Sequence, residues 1–189
     1  EKRLSQDNSL SCGSCHKQKD GFSDIRRFSL GTKGLPGRRQ AMPLANLAWH
    51  QFGFFWDGRS MTLRDQALHP IQDTLEMNAS LPEVVNKLQS VPSYKDQFIR
   101  AFGDDVISPE RIALAIEQFE ITLISNHAKY DDYLAGLAQL TASEERGRVL
   151  FFSNYNAATG QKGGECFHCH QGFNFTNNAY LNNGLDGEG

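Results

Sequence analysis

The chain has 189 residues, with 19 basic and 22 acidic side chains, a formal charge of −3 and a hydrophobic share of 39%. That length suits one large domain or two small ones, and the balanced, slightly acidic charge offers no basic stripe for a phosphate backbone, which argues against nucleic acid as a partner. Thirteen Phe, five Tyr and two Trp supply ample apolar surface for folding, while no stretch approaches the roughly 18 uninterrupted apolar residues of a membrane span.

In chain order, Glu1 to Ser5 is charged and polar and shows no leader, as a mature or trimmed chain would. The run Cys12-Gly13-Ser14-Cys15-His16 follows. Gly31 to Gly37 is rich in glycine and polar enough to be a mobile loop, and Met42 to Trp56 has apolar residues without a clean period, as irregular chain or short helix does. Leu81 to about Gln89 puts Val84, Val85 and Leu88 on one helical face and ends before Pro92. A helix begins at Ser108 as N-cap with Pro109 in its first position, and carries Ile112, Ala115, Ile116, Phe119, Leu123 and Ile124. Thr141-Ala142-Ser143-Glu144 is a capping box that opens a helix through Val149, Leu150, Phe151 and Phe152. Between Gly160 and Gly164 lies a second glycine-rich stretch, and Cys166-Phe167-His168-Cys169-His170 comes after it.

All four cysteines thus fall in two copies of Cys-x-x-Cys-His, the attachment signature of c-type haem. Two thiols add across the porphyrin vinyl groups, and the adjoining His gives its imidazole to iron as proximal ligand. Four thiolates could instead close a tetrahedral zinc site, but that leaves both histidines unexplained. A redox dithiol wants a βαβ setting, and this chain shows no alternating strands. Two covalent haems c, on His16 and His170, are expected. Haem c is assembled outside the bacterial cytoplasm, so a periplasmic protein is expected as well.

Phe55-Trp56-Asp57-Gly58-Arg59, followed by Gln66-Ala67-Leu68 and Leu75-Glu76-Met77, resembles the bacterial di-haem cytochrome c peroxidase family, which includes the MauG-like enzymes. Further matches run from Lys2-Arg3-Leu4-Ser5 through Ser11 to His16, Tyr94 to Gly103, Ala113 to Glu120, and Glu145 to Phe151. The resemblance implies a mostly α fold of two cytochrome-c-like lobes, each wrapped around one covalent haem c, with long irregular loops. The lobes would be a peroxidatic domain over residues 1–138 and the start of an electron-transfer domain over 139–189, with further chain beyond it. It also implies that the His16 haem is where peroxide reacts, with Glu76 moving a proton from the near to the far peroxide oxygen and Gln66 orienting it. Trp56 would correspond to the aromatic residue through which electrons pass, and Asp57 and Arg59 would hold the turn and meet haem propionates. Read without the resemblance, Glu76 is a solvated loop carboxylate, Gln66 a helix-surface amide and Trp56 a core residue.

The chain departs from the family pattern in two places. Many members carry a His in the loop before the Phe-Trp-Asp-Gly-Arg run, and here Gly31 to Ala41 has Lys33, Arg38 and Arg39 but no His. The first site is then open at rest, as in MauG-like enzymes, or is reached by His50 from a displaced position. His69 stands near the distal segment, His127 reads as structural, and His168 is a variable residue of its motif that points away from iron. The distal ligand of the second haem, Met or Tyr in the family, lies past Gly189. A calcium ion is a further candidate, with Gln40 where the family places an Asn ligand. The expected activity is reduction of hydrogen peroxide to water with electrons from a small donor such as a cytochrome c or cupredoxin, and a homodimer is the candidate assembly. A MauG-like oxidase of protein Trp or Tyr is the enzymatic alternative, and a di-haem electron carrier or a peroxide- or gas-binding sensor the non-catalytic one.

Overall fold

The computed structural model describes residues 1–182 and 184. The chain divides into two compact units, Glu1–Leu123 and Ile124–Gly189. The described residues are helical and irregular, with pairing limited to isolated bridges such as Leu30 with Pro36 and Phe54 with Ser60. No described helix is long and apolar enough to cross a membrane.

The first unit holds α1 (Cys12–Cys15), α2 (Leu63–Gln72), α3 (Leu81–Gln89), α4 (Pro92–Phe102) and α5 (Pro109–Glu120). Three of these start as local chemistry dictates, because Thr62, Ser80 and Ser108 each accept an amide N–H three residues on, at 3.1, 3.3 and 3.2 Å, which satisfies a donor the helix leaves open. The α3 and α5 starts agree with the sequence expectation. The latter helix ends at Glu120 rather than running to Ile124. Its packing against α2, α3 and their neighbours buries Ile71, Met77, Val84, Leu88, Phe98, Ile107 and Ile112 in one core.

Two helices of this unit were not expected. α2 carries Pro70 in its interior, which deprives the Gln66 carbonyl of its helical N–H and ordinarily breaks a helix. Burial of Leu63, Ala67 and Ile71 against the core offsets that loss. In α4, Pro92 occupies the first turn, where its missing N–H costs nothing, so the proline that ends α3 also begins the next helix.

The second unit contains α6 (Lys129–Leu134) and α7 (Ala142–Phe151). Thr141 and Glu144 close the expected capping box, with Thr141 N–H donating to Glu144 Oε2 at 2.7 Å. Residues 124–138 join this unit because α6 packs into it: Tyr130 lies 5.9 Å from the Phe175 ring, Arg148 sits over Tyr133, and Lys129 pairs with Glu144 at 2.6 Å. The six-residue α6 is too short to show a period. Every fully buried residue among those described belongs to the first unit, so the second has an aromatic cluster but no closed protein core.

Candidate functional site

The two cysteine motifs share their closing hydrogen bond, although the first is an α-helical turn over Cys12–Cys15 and the second a 3-10 turn over Cys166–His168. In each, the histidine N–H donates to the carbonyl of the first cysteine at 2.8 Å, His16 to Cys12 and His170 to Cys166. One cysteine of each pair is exposed and the other half-buried, and all four thiols are free. His16 Nδ1 lies 2.9 Å from the Phe22 carbonyl, and His170 Nδ1 lies 3.1 Å from the Phe175 carbonyl. A carbonyl only accepts, so the proton sits on Nδ1 and each Nε2 keeps its lone pair for a metal. Phe22 and Phe175 both hold left-handed backbone, at φ 57° and 52°, which aims their carbonyls back at the imidazoles. Their role is carried by main chain, and nothing in the sequence marked it. His168 faces elsewhere, its Nε2 3.0 Å from Asn154 Oδ1.

The residues fit a covalent haem at each motif. The thiols are unpaired, the imidazoles are pre-set in the ligating tautomer, and the second unit displays aromatic surface without a protein core to cover it. Its aromatic residues Tyr130, Phe151, Phe152 and Phe175 line a cavity of about 360 Å³ together with Arg148.

Around the first motif, Asp24 is 2% exposed and draws in Arg26 at 2.7 Å, Ser29 at 2.9 Å and Lys17 at 3.3 Å. The Arg26 hydrogen bond, more than any other contact, holds its carboxyl well below the usual range in spite of burial. The Asp24 carbonyl accepts the Gln40 side-chain N–H at 3.0 Å, and the Gln40 carbonyl in turn accepts the Trp56 indole N–H at 2.9 Å. Trp56 is half-exposed, at 50%, and is not a core tryptophan. Gln40 therefore brackets Trp56 to the haem-attachment loop, and no cluster of three or more Asp, Glu, His or Cys forms a metal cage among the described residues.

Asp57 pairs with Arg39 and Arg59, each at 2.9 Å, and Arg59 lies 3.5 Å over the Phe55 ring. His69 meets the same ring edge-on at 5.6 Å. This local lattice closes the Phe-Trp-Asp-Gly-Arg turn, as expected of Asp57 and Arg59. His50 is engaged by its neighbour, with Nε2 donating to the Gly53 carbonyl at 2.6 Å.

Glu76 ends a tight turn after α2, its N–H donating to the Asp73 carbonyl at 3.0 Å. Glu76 is exposed at the surface, as a solvated loop carboxylate would be; desolvation by the protein around its carboxyl, then repulsion from Asp73, raises its pKa, and the positive charges of Arg59 and Arg38 partly oppose them. The structure thus brings Glu76 into the field of the Phe-Trp-Asp-Gly-Arg turn. Gln66 is half-buried on α2, on the helical stripe that continues through Pro70 to the Asp73 C-cap. Gly31 to Gly37 is a loop bonded to itself and its flank: Gly31 N–H donates to Leu35, Gly34 to Gly31 and Gly37 to Ser29, at 3.0, 2.9 and 2.9 Å.

One buried acid escaped the sequence reading as a site. Glu120 is 7% exposed, its Oε2 finds no hydrogen-bond partner, and burial aided by Glu117 lifts its pKa from 4.5 to about 7. The signal was present, since Glu120 follows Ile112 and Ile116 at four-residue steps on the apolar face of α5.

Two Cys-x-x-Cys-His turns with the same histidine anchoring, on a helical scaffold, define a c-type haem protein with two attachment sites. Comparison with known proteins is more specific: the family model for di-haem cytochrome c peroxidase matches residues 1–139, and the chain belongs to that family. It is 34% identical over 185 residues to the methylamine utilization protein MauG of Methylophilus methylotrophus, covering 98% of this chain and 53% of that one. It is 37% identical over 172 residues to cytochrome c551 peroxidase of Nitrosomonas europaea, covering 90% and 48%. A solved MauG-like protein associated with microbial copper homeostasis superposes with a TM-score of 0.76 at 35% identity, over 90% of this chain and 48% of that one. The chain spans about half the length of these relatives.

Proposed function

We propose that this chain carries the peroxide-reducing site of a periplasmic di-haem peroxidase that takes electrons from a small donor protein. Haem held by Cys12, Cys15 and His16 would supply the redox chemistry that cleaves the peroxide O–O bond. The observation that carries the reading is the placement of Glu76, a surface carboxyl fixed on a hydrogen-bonded turn near the positive charges of Arg59 and Arg38, with its proton affinity raised in support. Such a group takes a proton from one peroxide oxygen and returns it to the other, and a pKa above the ordinary carboxylate value suits both halves of that transfer. Gln66 orients peroxide by a side-chain hydrogen bond, and Trp56, tied at its indole N–H to Gln40, serves as electron relay from the site on Cys166, Cys169 and His170.

A MauG-like oxidation of a protein Trp or Tyr is the second reading, favoured by the loop from Gly31 to Ala41, which holds no His and closes on itself. The test common to both is Glu76→Gln in the full-length haem-loaded protein. Reaction with hydrogen peroxide, followed by stopped-flow absorbance, falls by roughly 10²-fold or more with haem content unchanged. Retention of the unmodified rate would refute the role of Glu76 and leave an electron carrier or a sensor. Supplying a reduced cytochrome c or a Trp-bearing protein as the electron source then separates the two enzymatic readings.

A further inference from the structure

The glycine-rich segment before Trp56 makes a contact that its composition does not foreshadow. Thr32 N–H donates to the Glu76 carbonyl at 2.8 Å, and Arg38, at the other end of the segment, pairs with Asp73 at 3.5 Å. The turn that carries Glu76 is therefore held at both its ends by one loop. At Gly31 the two backbones approach so closely that a Cβ would stand 2.7 Å from the Glu76 oxygen and 2.6 Å from the Leu75 carbonyl carbon, and nearer still to the Leu75 oxygen. All three atoms are main chain, which cannot swing aside as a side-chain tip can. Gly31 is thus required for space, and its backbone is not in the left-handed region. Gly37 in the same loop differs, since a Cβ there would meet only Ser29 and Arg39 oxygens at 3.7 and 3.9 Å, ordinary contact distances. Thr32 Oγ1 is buried without a hydrogen-bond partner, so the main-chain N–H is the polar group through which Thr32 engages the turn.

We propose that Gly31 and Thr32 are positioning residues for Glu76: the loop is the rigid seat that fixes where its carboxyl stands, and bare backbone at Gly31 is what lets the seat close. This inference rests on the acid–base reading of Glu76. A Cβ at residue 31 forces the Leu75–Glu76 backbone away by several tenths of an ångström or more. Displacement of a reacting group by about 1 Å is enough to cost on the order of 10²-fold in rate.

The test compares Gly31→Ala with Gly37→Ala in the full-length haem-loaded protein. We expect Gly31→Ala to lower kcat for hydrogen peroxide reduction at least 10-fold with KM for the electron donor unchanged, and to speed hydrogen exchange at the Thr32 amide. Gly37→Ala should match the unmodified protein in both. Equal behaviour of the two variants would overturn the proposal, and so would loss of activity in Gly31→Ala with Thr32 exchange unaltered. Should Gly31→Ala fail to fold, the unmodified protein still decides, because a Thr32 amide exchanging at the open-chain rate contradicts a closed seat. If Glu76→Gln keeps full turnover while Gly31→Ala loses Thr32 protection, the acid–base reading has failed and the seat stands.

Discussion

Replacing Glu120 by Gln should change the pH dependence of stability in a direction opposite to that of most acidic residues. Glu120 is raised from 4.5 to about 7 in the folded chain, so between those values the folded state keeps a proton that the unfolded state has released. Its contribution to stability is complete below pH 4.5 and disappears as pH rises through 7. A difference of about 2.5 pKa units corresponds to about 3 kcal/mol, lost by the native protein between roughly pH 4 and pH 8. Gln is neutral throughout and nearly the same shape. Glu120→Gln should therefore match the native chain near pH 4 and be more stable by about 3 kcal/mol at pH 8. Denaturant unfolding of the haem-loaded protein across that range reads the difference directly. Carboxylates held low, such as Asp24 and Asp104, lose stability as pH falls, but they are common to both proteins and cancel. Parallel stability curves for the two proteins would refute the assignment of Glu120 as a buried, protonated acid.

Gly163→Ala should impair the second attachment site, because a Cβ there would lie 2.5 Å from the Ser153 and Asn154 carbonyl carbons and disturb the approach to Cys166. Intact mass should show haem content falling from two towards one per chain, and full double attachment would contradict this. Gln40→Ala should release Trp56 from the Asp24 loop. The indole N–H band in ultraviolet resonance Raman, identified by its loss in Trp56→Phe, should shift to a weaker hydrogen bond, and stability should fall by about 1 kcal/mol. An unshifted band would show that the backbone of residue 40 holds the indole without help from its side chain.

The motifs and the best-capped helices could be read directly. Ser108 and Thr141 announce α5 and α7 because a cap is a local interaction, complete within four residues, and the apolar face of Val84, Val85 and Leu88 announces α3. α2 and α4 were hidden by prolines whose meaning depends on context. Pro70 is tolerated because tertiary burial outweighs a lost hydrogen bond, and Pro92 reads equally well as a stop or a start. The site was legible as residue types and not as an assembly. Cys12, Cys15, His16 and their counterparts declare their chemistry by spacing, whereas the Phe22 and Phe175 carbonyls act through main chain that any residue supplies. Gly31 misled in a similar way, since glycine signals freedom in a sequence while here it permits contact. Glu76 and Trp56 could be pointed to by resemblance, but their partners, Thr32 and Gln40, are set by a crossing of distant segments that no periodicity records.

The carbonyl anchors behind His16 and His170 carry a consequence for the division of labour between the two sites. A carboxylate in that place would share the imidazole proton and store negative charge behind the ring, making the ligand a stronger electron donor. A carbonyl at 2.9 or 3.1 Å does neither, and it does so equally in both turns. At the imidazole anchor itself, the two attachment sites are therefore matched. Any inequality between them, in reactivity or in readiness to hold an electron, must be imposed from the opposite face and the surrounding field. Around the first motif that field contains Asp24, Arg26 and Lys17, charges that a neutral pair of anchors leaves free to set a difference.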